Sequence, residues 1–238
     1  MQKIDLKDSL EEYQKKMAHN RRVLAQAKAV LTRAKSAGIP EKYMRINQAT
    51  FQSILDPEYH NDIERVSNYI FKTPIDVLNK EFIIIDGGGV VERKMAGFAI
   101  LFRLIACDKY GLHRDIGSVA HAFQTLTPDI EGLHRNELAE VLRSAEILFL
   151  SEFNYENFRK GFETGRFFDD VLTYRDDYVK TTIISMFSPL PKTKIEEDHT
   201  NLMTEQGQYG IYMCSATQAD QTKDPRFFRI RVKQNGRK

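Results

Sequence analysis

The stretch FIIIDGGGVVERKMAGFAILFRL, residues 82–104, constrains the fold more than any other part of this chain. An unbroken run of β-branched residues is ended by three glycines, and an apolar helical pattern begins at once. A strand covered on both faces reads as such a run, because neither face meets water. Strand, glycine turn and helix together make the layout of a phosphate-binding loop, where backbone N–H groups at a helix N-terminus hold an anion. The Gly-Lys-Ser/Thr that completes such a loop is missing, and Glu92-Arg93 stands in its place.

The same alternation continues along the chain. RNELAEVLRSA predicts a helix that leads into EILFLSEF, a buried strand. FETGRFFDDVLTYRDD predicts another helix, and KTTIISMFSPLP a β-branched strand stopped by prolines. A further strand is expected within GSVAHAFQTL, and RFFRIRVKQ alternates apolar and basic residues as an edge strand does. Strands alternating with helices imply an α/β fold with a parallel sheet flanked by helices. Ahead of the first strand, residues 61–71 predict a helix, and PEKYMRINQATFQSI reads as a polar connector carrying Tyr43 and Phe51.

The N-terminus is a separate problem. Residues 5–35 predict one helix, closed by Gly38-Ile39-Pro40, since glycine suits a helix C-terminus and proline cannot continue a helix. Val23, Leu24, Ala27, Val30 and Leu31 recur on one face, with Arg21, Arg22 and Lys28 at its rim. From Lys15 to Lys35 the chain has seven basic residues and no acidic one, although the net charge of all 238 residues is only +2. An amphipathic helix of this kind packs on the main domain or docks on a partner.

Composition removes several function classes. Only Cys107 and Cys214 are present, without metal-ligand spacing, so a zinc module or a disulfide framework is not expected. His113, His121 and His134 show no metal-ligand pattern either, and no Ser/His/Asp or Cys/His arrangement suggests nucleophilic catalysis. MQKIDLKDSLEEYQKKM is too charged for a secretory signal, and MAGFAILF stops at Arg103, too short to cross a bilayer. No catalytic residue, metal or cofactor is expected, and the location expected is cytoplasmic.

Taken in order, AGIPEKYMRINQATF, GGGVVERKMAGFAILFRL, LRSAEILFLSEF and VLTYRDDYVKTTIISMFS resemble the AAA+ domain of bacterial DnaC/DnaI-type helicase loaders and their IstB-like relatives. The resemblance covers about residues 37–190, and implies an N-terminal extension over 1–36 and an AAA+-like domain over 37–238. Gly87, Gly88 and Gly89 stand at the Walker A turn; carried over position by position, Gly89 keeps the loop's first glycine and Val91 takes its last. Glu92 takes the lysine and Arg93 the Ser/Thr; Ser151 replaces the Walker B aspartate beside Glu152, and Phe187 replaces the sensor asparagine. Arg175 matches a recurrent arginine of these loaders.

The losses have a physical meaning. A carboxylate in place of the lysine turns attraction for phosphate into repulsion, about 4 kcal/mol for unit charges 4 Å apart at an effective dielectric of 20. Val91 adds a Cβ where backbone must approach phosphate closely, and magnesium loses a hydroxyl and a carboxylate. The resemblance therefore implies a pseudo-ATPase that binds a DnaB-type hexameric helicase without ATP hydrolysis. It also implies single-stranded DNA as a further partner and assembly on the helicase ring, a form that suits a phage or mobile-element protein. Three other readings remain: an inhibitor or decoy of the host helicase or loader, an ATPase with a non-standard site, and an IstB-like transposition helper.

Overall fold

The computed structural model describes residues 6–74, 80–125, 132–153, 162–186 and 227–233. The elements run α1 (Leu6–Ser36), α2 (Glu41–Met44), α3 (Gln48–Ile54), α4 (Ile63–Phe71), β1 (Phe82–Gly87), α5 (Val90–Ala106), β2 (Gly111–Asp115), α6 (Ile116–Thr125), α7 (Arg135–Ser144), β3 (Ile147–Phe153), α8 (Phe162–Asp177), β4 (Thr181–Met186) and β5 (Phe227–Val232). The five strands form one parallel sheet in the order β2-β3-β4-β1-β5.

The sheet is covered on both faces, as the unbroken apolar strands require. Ile83 and Ile85 of β1 face α5 and the end of α1, while Phe82 and Ile84 face the layer that holds α6, α7 and α8. Alternate residues of one strand thus serve two cores, the expected result of a period of two along a pleated strand. Helix α5 lies close against β3: a Cβ added at Gly97 would come within 2.1 Å of the Phe149 ring.

Two expectations are corrected. The strand expected within GSVAHAFQTL is a helix, α6, and the second strand is the preceding GLHRD. Ile116, Val119, Ala120 and Ala122 are buried at helical spacing, and Asp115 Oδ1 accepts the N–H groups of Gly117 and Ser118 to start the helix. Among the described residues GLHRD lies at the sheet edge, paired only to β3. An edge strand can carry His, Arg and Asp without the apolar run that marks a central one.

The second correction concerns residues 40–54, which are not a polar connector. They form α2 and α3, burying Tyr43, Met44, Ile46, Phe51 and Ile54. Tyr43 stacks on Phe98 of α5 with ring centroids 4.7 Å apart. The short apolar groups are too scattered for a periodic signal, yet both helices pack against α5.

Helix α1 stands apart from this packing. Residues 15–29 are exposed throughout, and contact with the body is made by its C-terminal end, where Ala34, Ala37 and Ile39 are buried. Its 31 residues give a rod about 46 Å long at 1.5 Å per residue. Gly38, at φ +80°, closes it as expected.

Candidate functional site: the carboxyl ends of the central strands

In an open parallel sheet, ligands bind outside the carboxyl ends of the strands, where successive helices leave for opposite faces. Here α5 leaves β1 toward one face and α8 follows β3 on the other. Gly87 ends β1 at φ +76°, and β5 runs so close beside it that a Cβ would lie 2.5 Å from the Val232 carbonyl. Only glycine fits both the left-handed conformation and that approach. Just before it, Asp86 is fully buried and accepts the Arg229 guanidinium, with Nε 2.8 Å away, tying β5 to β1 beside the turn. Gly88 continues the turn, and Gly89 is the N-cap residue of α5.

Arg93 fills the place that the turn encloses. Its side chain is fully buried and donates from Nη1 to the carbonyls of Gly87 (3.0 Å) and Gly88 (2.9 Å), and from Nη2 to Glu152 Oε2 (2.8 Å). Glu152 reaches this position through an irregularity in β3: the pairing to β4 shifts between Leu150 and Phe153, and Glu152 adopts φ +61°. Such a bulge re-aims a side chain at a sheet end. Glu152 N–H donates to Ser185 Oγ of β4 at 2.9 Å, which fixes the re-aimed backbone.

A second set of contacts adjoins the first. Lys94 Nζ lies 3.3 Å from Asp115 Oδ2, Ser151 Oγ donates to the same oxygen (3.2 Å), and His113 Nε2 is 2.9 Å from Ser151 Oγ. Burial, reinforced by the Lys94 charge, pushes the His113 pKa down to about 4, so the ring is neutral at pH 7. With the Ser151 proton on Asp115, His113 Nε2–H is the donor to Ser151. The ring packs on Phe98 and Phe149, with centroids 4.6 and 5.1 Å away. His113 is therefore a satisfied core residue, and Ser151, between His113 and Asp115 and fully buried, is not arranged as a nucleophile.

The sequence-derived residues meet unevenly. Gly87, Gly88, Arg93 and Glu152 form one contact set, and Ser151 lies next to it. Glu92 is half-buried in the first turn of α5, where a carboxylate suits the helix dipole. Phe187 lies outside the described residues. Sequence reasoning missed Asp115 and Ser185, both at strand ends. Asp115 was hidden by the misplaced second strand, and Ser185 by its place inside an otherwise apolar run.

A nucleoside triphosphate with magnesium needs N–H groups, a cation and a hydroxyl turned on it. This turn directs two carbonyls and a carboxylate at an arginine, a set of groups that does not fit that ligand. A cleft of about 860 Å³ beside α4, lined by Tyr59, Arg65, Tyr69, Lys72 and Phe228 among others, includes none of these residues. Arg175, matched to the loaders by resemblance, lies at the other end of the sheet. It donates to the carbonyls of Leu142, Ala145 and Thr181 and to Thr182 Oγ1.

On α1, Val23, Leu24 and Leu31 are 48, 69 and 44% exposed, Val30 is half-buried, and Arg21, Arg22, Ala27 and Lys28 are exposed. No helix among the described residues is long and apolar enough to cross a membrane.

No protein-family model and no curated protein sequence matches the chain. Solved structures do. DnaI aligns over 81% of this chain and 94% of its own, with TM-score 0.52 and 13% identity. The DnaC helicase loader aligns over 81% and 99%, with TM-score 0.49 and 13% identity. DnaA from Aquifex aeolicus, solved with AMPPCP, aligns over 61% and 49%, with TM-score 0.43 and 14% identity. At these identities the likeness speaks for the backbone. The chain carries the fold seen in DnaI.

Proposed function

We propose that this chain is a loader-like accessory protein of DNA replication that binds a DnaB-type hexameric helicase without ATP hydrolysis. The observation that carries this reading is the exposed apolar stripe of α1, on a helix whose described contacts with the body lie toward its C-terminal end. Leaving Val23, Leu24 and Leu31 in water forgoes about 1.5–3 kcal/mol for each side chain that a partner would bury. An amphipathic helix laid into a groove is a common recognition mode. In this reading residues 1–36 dock on the helicase and residues 37–238 hold the assembly in register, with several copies on one ring.

Arg93 supports the second half of the proposal. It supplies from within the chain the cation that neutralises Glu152 and pins the turn, so the body keeps its shape without nucleotide. Work is then done by binding energy alone: the protein holds the ring and leaves when other contacts replace it.

Co-purification of the full chain with a DnaB-type helicase tests the proposal, with and without ATP. Binding is expected under both conditions and is expected to be lost in a Leu24→Ser/Leu31→Ser variant. No binding by the full chain, or binding only with ATP, sinks it. Unwinding measured in the complex separates a loader from an inhibitor.

A further inference from the structure

The apolar stripe of α1 has a finer pattern than amphipathicity requires. Met17, Leu24 and Leu31 stand seven residues apart, and Asn20, Ala27 and Ala34 follow each of them by three. In the sequence the same spacing runs back through Tyr13 and Leu10 to Leu6, all within the one helix. Apolar residues at alternate steps of three and four, sustained over the length of a helix, draw a seam that supercoils around a second helix. Met17, Asn20, Leu24, Ala27 and Leu31 are exposed, so the seam is not spent on the chain's own body. Ala34, its last position, and Ala37 are buried against the body. Together they lie about 100° around the helix from Leu24 and Leu31.

The exposed part of the helix lacks support of its own. Between Lys15 and Lys35 there is no carboxylate, so no intrahelical ion pair steadies it. A helix without tertiary contacts is marginal in water, and a second helix along the seam supplies them. Asn20 indicates which helix. It is the one amide in the seam, both donor and acceptor. A second Asn20 answers it in kind, and the two face each other only when identical helices run parallel and in register. The borders of the seam agree. Arg21, Lys28 and Lys35 line one side, Val23 and Val30 the other. In a parallel pair unlike borders meet, so Val23 packs on the methylene stem of Lys28 of the second copy, and Val30 on that of Lys35, with the ammonium groups left in water. Lys16 against Arg21 is the one meeting of like charges. An antiparallel pair instead sets cation border against cation border.

We propose that α1 pairs with α1 of a second copy of this chain as a parallel, in-register, two-stranded coiled coil that ends near Leu31. The two-fold axis runs along the coil, so each copy offers the same surface to the other. Because each body lies to the side of its seam, the two bodies fall on opposite sides of the coil. The stripe that receives the helicase in the reading above is covered in the free protein, and docking there exchanges one helix partner for another. The pairing itself does not rest on that reading.

Sedimentation of the full chain alone, from about 1 to 100 μM, tests the pairing. The expected mass is twice 27.6 kDa, falling toward one copy on dilution. Leu24→Ser is expected to raise the dissociation constant about tenfold or more, while the body unfolds in urea like the parent. Asn20→Leu is expected to tighten assembly and to admit more than two copies. Register is read by cross-linking in a Cys107→Ser/Cys214→Ser background. There Asn20→Cys is expected to give a disulfide-linked dimer on mild oxidation, and Lys28→Cys, on the border, far less of one. A chain that stays monomeric at about 100 μM overturns the proposal and leaves the stripe to another protein. It is overturned too by a dimer that Leu24→Ser leaves intact, or by one that links through the Lys28→Cys variant rather than the Asn20→Cys one. Because no helicase is present, failure here leaves the co-purification experiment intact, and a dimer that binds no helicase sinks only the earlier reading.

Discussion

The two ends of the sheet each hold a fully buried arginine, and they solve the same problem differently. At the amino ends of β3 and β4, Arg175 donates to three backbone carbonyls at 2.6–3.0 Å and to the Thr182 hydroxyl. All of these acceptors are neutral, and burial lowers the Arg175 pKa to about 9, still well above neutral pH. At the carboxyl ends, Arg93 has two carbonyls and a carboxylate. The first is a clamp built from backbone, with nothing to exchange. The second contains an ion pair across 59 residues of sequence at the place where the fold usually receives a ligand. Arg93 thus does locally what Arg175 does, with a carboxylate among its acceptors.

Breaking the stronger clamp should have the largest effect. Arg175→Met leaves several buried carbonyls without donors and is expected to cost about 4 kcal/mol in urea unfolding, or to prevent folding. Arg93→Met should cost about 3 kcal/mol, because it strands the Glu152 carboxylate. That comparison sharpens in a double-mutant cycle: adding Glu152→Gln to Arg93→Met is expected to recover about 1 kcal/mol or more. No recovery would mean that the carbonyl contacts, not the ion pair, hold the turn, as they do around Arg175.

Acid acts at the carboxyl end. His113 has a pKa of about 4 in the folded chain against about 6.5 unfolded, so the unfolded state binds the extra proton between those values. Stability contributed by the neutral ring is complete above pH 6.5 and is lost as pH falls toward 4, by about 2–3 kcal/mol. Unfolding midpoints across that window check this, and His113→Phe should flatten the dependence. Gly97→Ala is smaller, about 2 kcal/mol, since Phe149 must move to admit the methyl group. Smallest is Leu24→Ser on the free helix, within about 0.5 kcal/mol.

Much of this molecule is legible in its residues. Central parallel strands must be apolar on both faces, so FIIID, ILFLSEF and TTIISM declare themselves, as do the amphipathic α1 and the glycine turn. Where only one face or one edge is buried the signal fades: GLHRD pairs on one side and carries polar groups, and residues 40–54 bury five side chains in two short helices and the turn between them. The neighbouring glycines suggested an anion site, and the residue types at 92 and 93 suggested its loss. Which way Arg93 turns, however, depends on Glu152, brought to it by a bulge in β3 and a hydrogen bond from its own N–H to Ser185 of β4. Local residue patterns fix elements through hydration and backbone geometry. The identity of a buried charge's partner is fixed only when the fold brings the first turns of α5 to the end of β3, so that two side chains meet at 2.8 Å.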